Sequence, residues 1–140
     1  MFPKRASPHV APNLELELAA APATIPLARA AISRTCEGLC VADDVAERIR
    51  LAVTEACGNC AQHAYGRDCW NPTYMLETRV EGGDLFVVVH DCGRGLRGGA
   101  TESAAAGLGL GLGMIEQLAD GIEIASEVGH GTRLEMRFSV

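Results

Sequence analysis

Residues 55–65 read EACGNCAQHAY, and Glu55, Asn59 and His63 recur there at i, i+4 and i+8. On a helix that spacing draws one polar stripe along an otherwise apolar rod. An asparagine oxygen is a hard, neutral ligand suited to Mg²⁺, which keeps several waters and shares its shell with substrate phosphates. A glutamate one turn earlier can orient a water or accept a proton from an attacking hydroxyl. Three further stretches carry chemistry. Asp91-Cys92-Gly93-Arg94-Gly95 follows the apolar run LFVVVH; a carboxylate there can accept a hydrogen bond from an exocyclic amine such as that of adenine. Gly107, Gly109, Gly111 and Gly113 alternate with leucines before a helix-like segment. Backbone N–H groups at a helix start, reached closely because glycine has no side chain, suit phosphate. Gly131-Thr132 offers a hydroxyl for the other side of a base. Each stretch also has a plainer reading: a solvated helix stripe, a turn after a strand, a hinge before a helix, a hairpin turn.

The common phosphate motifs do not apply. There is no Gly-Lys-Ser/Thr for a Walker A loop. The residues before the glycine run are TESAAA rather than a strand, and Met114 stands where a third Rossmann glycine would fall.

The elements that must position these residues follow from periodicity. Asn13–Ala19 alternates leucine and glutamate, the period of a half-buried strand. Leu27–Leu39 carries an apolar stripe through Ile32 and Cys36, which predicts a first helix with Cys36 and Cys40 one turn apart. Asp43 or Asp44 is suited to cap a second helix running to Tyr65. Gly66–Pro72 is expected as a loop. Residues 73–80 and 84–90 read as a hairpin around Glu81-Gly82-Gly83, residues 114–120 as a helix, and 121–127 with 132–140 as a closing hairpin. The order β-α-α-β-β-loop-α-β-β predicts an α+β, two-layer sandwich whose mostly antiparallel, mixed sheet carries its helices on one face.

The 140 residues suffice for one core, with 48% apolar and 21% charged. A net charge of −6 argues against nucleic acid and anionic membrane as partners. No apolar run approaches the roughly 20 residues of a membrane span. Residues 1–12, broken by Pro3, Pro8 and Pro12, read as a disordered tail of a cytoplasmic protein, with one domain over 13–140. The six cysteines, Cys36, Cys40, Cys57, Cys60, Cys69 and Cys92, are then expected as thiols, small buried hydrophobes in the main, with a metal or redox site as the alternative.

Together and in this order, the motifs resemble the ATP-binding domain shared by DNA gyrase, histidine kinases and the mismatch-repair protein MutL, the Bergerat or GHKL fold. Glu55…Asn59…His63 is similar to its N box, Asp91-x-Gly93-x-Gly95 to its first glycine box, Gly109-x-Gly111-Leu112-Gly113 to its second, and Gly131-Thr132 to its closing pair. The resemblance implies ATP and Mg²⁺ as cofactors. Asn59 would hold the metal, and Asp91, supported by Thr132, would bind adenine. Gly93 and Gly95 would line the base pocket. Gly107, Gly109, Gly111, Leu112 and Gly113 would meet the phosphates, with His63 completing the N box. Residues 96–106 would form the ATP lid, and Glu55 would be the catalytic base. The chain most closely resembles the bacterial anti-sigma factor serine/threonine kinases of the RsbW and SpoIIAB type. That implies a homodimer that binds a sigma factor and phosphorylates a STAS-fold antagonist. An ATP-dependent binding module without phosphotransfer is the other reading. Gly58-Asn59-Cys60 departs from the Thr-Asn-Ala common in those kinases. It removes a hydroxyl beside the site, and Cys57, Cys60 and Cys92 raise the possibility of a thiol switch.

Overall fold

The computed structural model describes residues 14–62, 71–91, 112–127 and 131–140. Strand β1 (Glu15–Ala19) leads through a 3-10 turn (Pro22–Thr24) into helix α1 (Ile25–Gly38) and helix α2 (Asp43–Gln62). Strands β2 (Thr73–Glu81) and β3 (Asp84–Asp91) follow, then helix α3 (Leu112–Leu118) and strands β4 (Gly121–Glu127) and β5 (Gly131–Ser139). The five strands form one sheet in the order β1-β2-β3-β5-β4. Each of the four pairings is antiparallel, so no parallel pair makes this sheet mixed.

Register explains which face is covered. Leu16, Leu76, Val89, Leu134 and Ile124 lie in one row across the strands, and Thr78, Val87, Met136 and Ile122 belong to the next. The apolar side chains among these pack with Ile32, Cys36, Ile49, Val53, Cys57 and Ile115 of the helices in one continuous core. The opposite face carries charge: Arg79 bonds Glu81 and Glu135, Arg133 bonds Glu135, and the Arg79 guanidinium stacks 4.2 Å over the Phe86 ring. One apolar face and one polar face is what Leu-Glu alternation in β1 encodes.

Element boundaries shift at three places, each for a local reason. Helix α1 ends at Gly38, so Cys40 is not one helical turn beyond Cys36 on the same rod. It sits at φ 54, with its N–H on Glu37 O and the Val41 N–H on Cys36 O. Those two bonds are the Schellman pattern with cysteine in the left-handed place usually given to glycine. Helix α2 starts at Asp43, so both Asp43 and Asp44 lie in its first turn and complement the dipole rather than capping it. Helix α3 begins at Leu112, two residues before the expected start, and takes Gly113 into its first turn. The β2–β3 connection is a two-residue turn with Gly82 at φ 56 and Gly83 at φ 86, the conformation that a tight hairpin demands.

The expected tail 1–12, lid 96–106, most of the 66–72 loop and the turn around Val128-Gly129-His130 lie outside the described residues. So do His63, Ala64, Tyr65, Cys69, Cys92, Gly93, Gly95, Gly107, Gly109 and Gly111. Among the described residues, no helix is long and apolar enough to cross a membrane.

Candidate functional site

The described site residues gather at one end of the sandwich, where β3 runs out under α2. Asp91 closes β3, and its side chain is 4% exposed. Its strand places it on the helix-facing side, opposite Tyr74 of β2. One residue beyond the His90–Arg133 pair on the other flank stand Asp91 and Thr132, and Thr132 in turn pairs with Ser126 of β4. Tyr74, Asp91, Thr132 and Ser126 therefore share a terminal row on the covered face. The Thr132 and Ser126 hydroxyls lie 3.1 Å apart, and the Ser126 hydroxyl also donates to Gly131 O at 3.4 Å. Gly131 is buried with φ 96, a backbone that the Gly-Thr pair needs glycine to reach.

Helix α2 lies over this row. Ala52, Val53, Ala56, Cys57 and Cys60 form its buried side, while Glu55 and Asn59 are half-buried at the margin. Glu55 and Asn59 of the expected stripe thus lie one turn apart at the boundary of the buried side, where polar groups are not desolvated outright. The helix touches the carboxylate through Cys60, whose Sγ is 3.8 Å from Asp91 Oδ2. One turn back, the buried Cys57 thiol is influenced by the Tyr74 hydroxyl. That hydroxyl lies 3.1 Å from Thr24 Oγ1, which donates to backbone oxygens of Ala19 or Ala21. Burial pushes the Cys57 thiol up to about 12, against a lowering by Tyr74. Burial first, and then the charge of Asp91, pushes Cys60 well above the usual thiol range. Burial also raises Tyr74. Thiolate is the nucleophilic form, so both thiols are held inert, as packing residues are.

Leu112 is buried in the core and anchors the start of α3. Gly113 behind it is exposed, and a Cβ there would meet nothing within 4 Å. The far end of α3 is tied to α2 by the Arg48 guanidinium, which donates to Leu118 O at 2.7 Å. The two helices that border the site are therefore clamped to each other.

The donor set suits a metal that takes most of its ligands from a phosphate. Asn59 supplies one half-buried amide oxygen. Among the described residues no group of three or more His, Cys, Asp or Glu could cage an ion by itself. Mg²⁺ in a nucleotide site needs only one or two protein oxygens beside substrate and water.

The structure brings the helix of Glu55 and Asn59 against Asp91, puts Thr132 in the same row, and sets Leu112 and Gly113 at the start of a neighbouring helix. Motif spacing missed Tyr74, Ser126 and the contact made by Cys60. The partners in these pairs come from different strands or elements, and only the pleat parity of the hairpins hinted that Ser126 would face Thr132.

Residues 18–138 match the family model described as histidine kinase-like ATPase domain. No curated protein sequence matches the chain significantly. Among solved structures, the RsbU and RsbW domains of a Mycobacterium tuberculosis protein are similar, with a TM-score of 0.71 and 22% identity over 91% of this chain and 32% of that one. A blue-light activated histidine kinase from Erythrobacter litoralis aligns with a TM-score of 0.56 and 26% identity, covering 69% of this chain and 30% of that one. Its separate histidine kinase domain gives 0.60 and 23%, with 84% and 60% covered. The chain thus spans about a third of the first two structures it matches.

Proposed function

The chain belongs to the family of histidine kinase-like ATPase domains, and from that premise we propose that it binds Mg²⁺–ATP at the end of the sheet and serves as an anti-sigma factor with serine/threonine kinase activity. The observation that carries the reading is Asp91, a carboxylate buried to 4% exposure in the terminal row and overhung by the helix that presents Asn59 and Glu55. A buried carboxylate at the end of a strand is suited to an adenine amino group, and Thr132 stands in the same row to assist. Asn59 would hold Mg²⁺, which supplies charge neutralisation at the phosphates. Backbone amides of Gly107–Gly113 would stabilise the charge that develops on the transferring group.

Phosphoryl transfer depends mainly on positioning and electrostatics. Glu55, one turn before Asn59, would accept the proton of an attacking hydroxyl. That hydroxyl is assigned to a Ser or Thr of a STAS-fold antagonist, with a sigma factor as the sequestered partner and a homodimer as the working form. The neighbour that carries an RsbW domain favours this assignment. Gly58 favours the second reading, a nucleotide-dependent binder without transfer, because the residue beside Asn59 lacks the hydroxyl those kinases commonly have.

Titration calorimetry tests the site. ATP binding by the wild type should vanish in Asp91→Asn and lose its Mg²⁺ dependence in Asn59→Ala. No nucleotide binding by the wild type would sink the proposal. Incubation with γ-labelled ATP and a STAS-fold partner then separates the readings. Acid-stable label on the partner marks a serine/threonine kinase, and its absence leaves the binder.

A further inference from the structure

Cys60 reaches the sheet from α2 and ends against the carboxylate on which base recognition depends. Its Sγ lies 3.8 Å from Asp91 Oδ2, and the two side chains are 5% and 4% exposed. The contact has one chemical sense, since a thiol can donate and an ionised carboxylate can only accept. Cys57, on the same side of the helix, and Tyr74 on the sheet are both fully buried, and the Tyr74 hydroxyl is bonded to Thr24.

The geometry points to Cys60 as a positioning residue for base recognition: its thiol orients the Asp91 carboxylate so that the site prefers a 6-amino purine over a 6-oxo purine. The inference rests on the reading of Asp91 as the carboxylate that meets the base. A carboxylate has about four acceptor sites, of which the thiol on Oδ2 takes one. A side chain oriented before the ligand arrives spares the ordering cost at binding. Orientation also sharpens rejection. A 6-oxo purine presents an acceptor where adenine presents a donor, and a carboxylate held in place cannot turn from it.

The test uses the full chain and MgATP beside MgITP, titrated by calorimetry into wild type, Cys60→Ala, Cys60→Ser and Asp91→Asn. Serine and alanine are nearly equal in volume, so both lose the same packing and only serine keeps a donor. Cys60→Ala should weaken ATP by roughly three- to tenfold, the scale of one net hydrogen bond. Its ATP-to-ITP preference should fall by a similar factor, while Cys60→Ser stays close to wild type in both. Equal behaviour of the two variants, or an equal loss for ATP and ITP in Cys60→Ala, overturns the positioning role in favour of plain packing. Asp91→Asn binding ATP as the wild type does would overturn the base reading itself, and the Cys60 role with it. Loss of ATP in Asp91→Asn beside an unchanged preference in Cys60→Ala overturns the Cys60 role alone.

Discussion

Glu55 and Glu135 are both carboxylates on the protein's polar margins, yet their surroundings give them different work. Glu55 stands one turn from Asn59 at the half-buried margin of α2. It is expected to matter for transfer and not for binding. Glu55→Ala should keep ATP affinity within about twofold and lose transfer by roughly 10²–10⁴, the usual contribution of a positioned base. Single-turnover transfer beside a binding titration checks this, and near wild-type transfer removes Glu55 as the base. Glu135 lies on the uncovered face between Arg79 and Arg133, at 3.0 and 3.2 Å. The Arg79 hydrogen bond, ahead of the opposing burial, holds its carboxyl below the usual carboxylate range. A lowered folded-state pKa gives stability that is present above the unfolded value of about 4.3 and is lost as pH falls through the folded value. Glu135→Gln should therefore cost stability at pH 7 and little at pH 2. Urea midpoints at both pH values decide it; a loss of equal size at the two would assign the effect to packing.

At the scale of elements, the ends of the helices carry both stability and the site residues. The C-terminal turn of α1 places Cys40 at φ 54. The left-handed conformation costs a residue with a Cβ about 1–2 kcal/mol, part of which glycine gives back through its freer unfolded chain. Cys40→Gly should accordingly stabilise the fold by about 0.5–1 kcal/mol. A urea midpoint that drops instead would mean that the exposed thiol makes a contact worth more than the strain. Gly58, toward the C-terminal end of α2, has room: an added Cβ would come no nearer than 4.0 Å to Ile25 Cδ1. Gly58→Ala should raise stability by about 0.5–1 kcal/mol through helix propensity. It does not restore the hydroxyl, so transfer should not rise with it. The clamp from Arg48 to Leu118 O ties α3 to α2.

For the whole molecule, what was legible in the sequence is what local period encodes, and what was hidden is what pairing across the fold creates. Leu14, Leu16 and Leu18 announced β1 because only one face of the sheet is covered. The N-box stripe announced the polar margin of α2 because helix geometry alone sets that spacing. The start of α3 was misplaced because Gly113 argues against helix by about 1 kcal/mol, whereas burying Leu112 returns roughly 2 kcal/mol; tertiary packing wins, and no local pattern reports it. The Cys60–Asp91 contact joins residues 31 apart, so it was invisible until the helix lay on the sheet. That contact and the Thr132–Ser126 pair lie at one end of the sandwich and the Arg48–Leu118 clamp toward the other, on elements that share one core, so nucleotide binding should be read by the stability of the entire domain. A ligand that binds only the folded state at about 100 times its Kd adds about 2.7 kcal/mol. For a chain of this length that corresponds to a rise in Tm of roughly 8 °C. MgATP should produce a shift of that order in the wild type, a smaller one in Asn59→Ala, and none in Asp91→Asn. A wild-type Tm that stays put under saturating MgATP would mean that this end of the sheet is scaffold, and that whatever partner the domain meets is met without nucleotide.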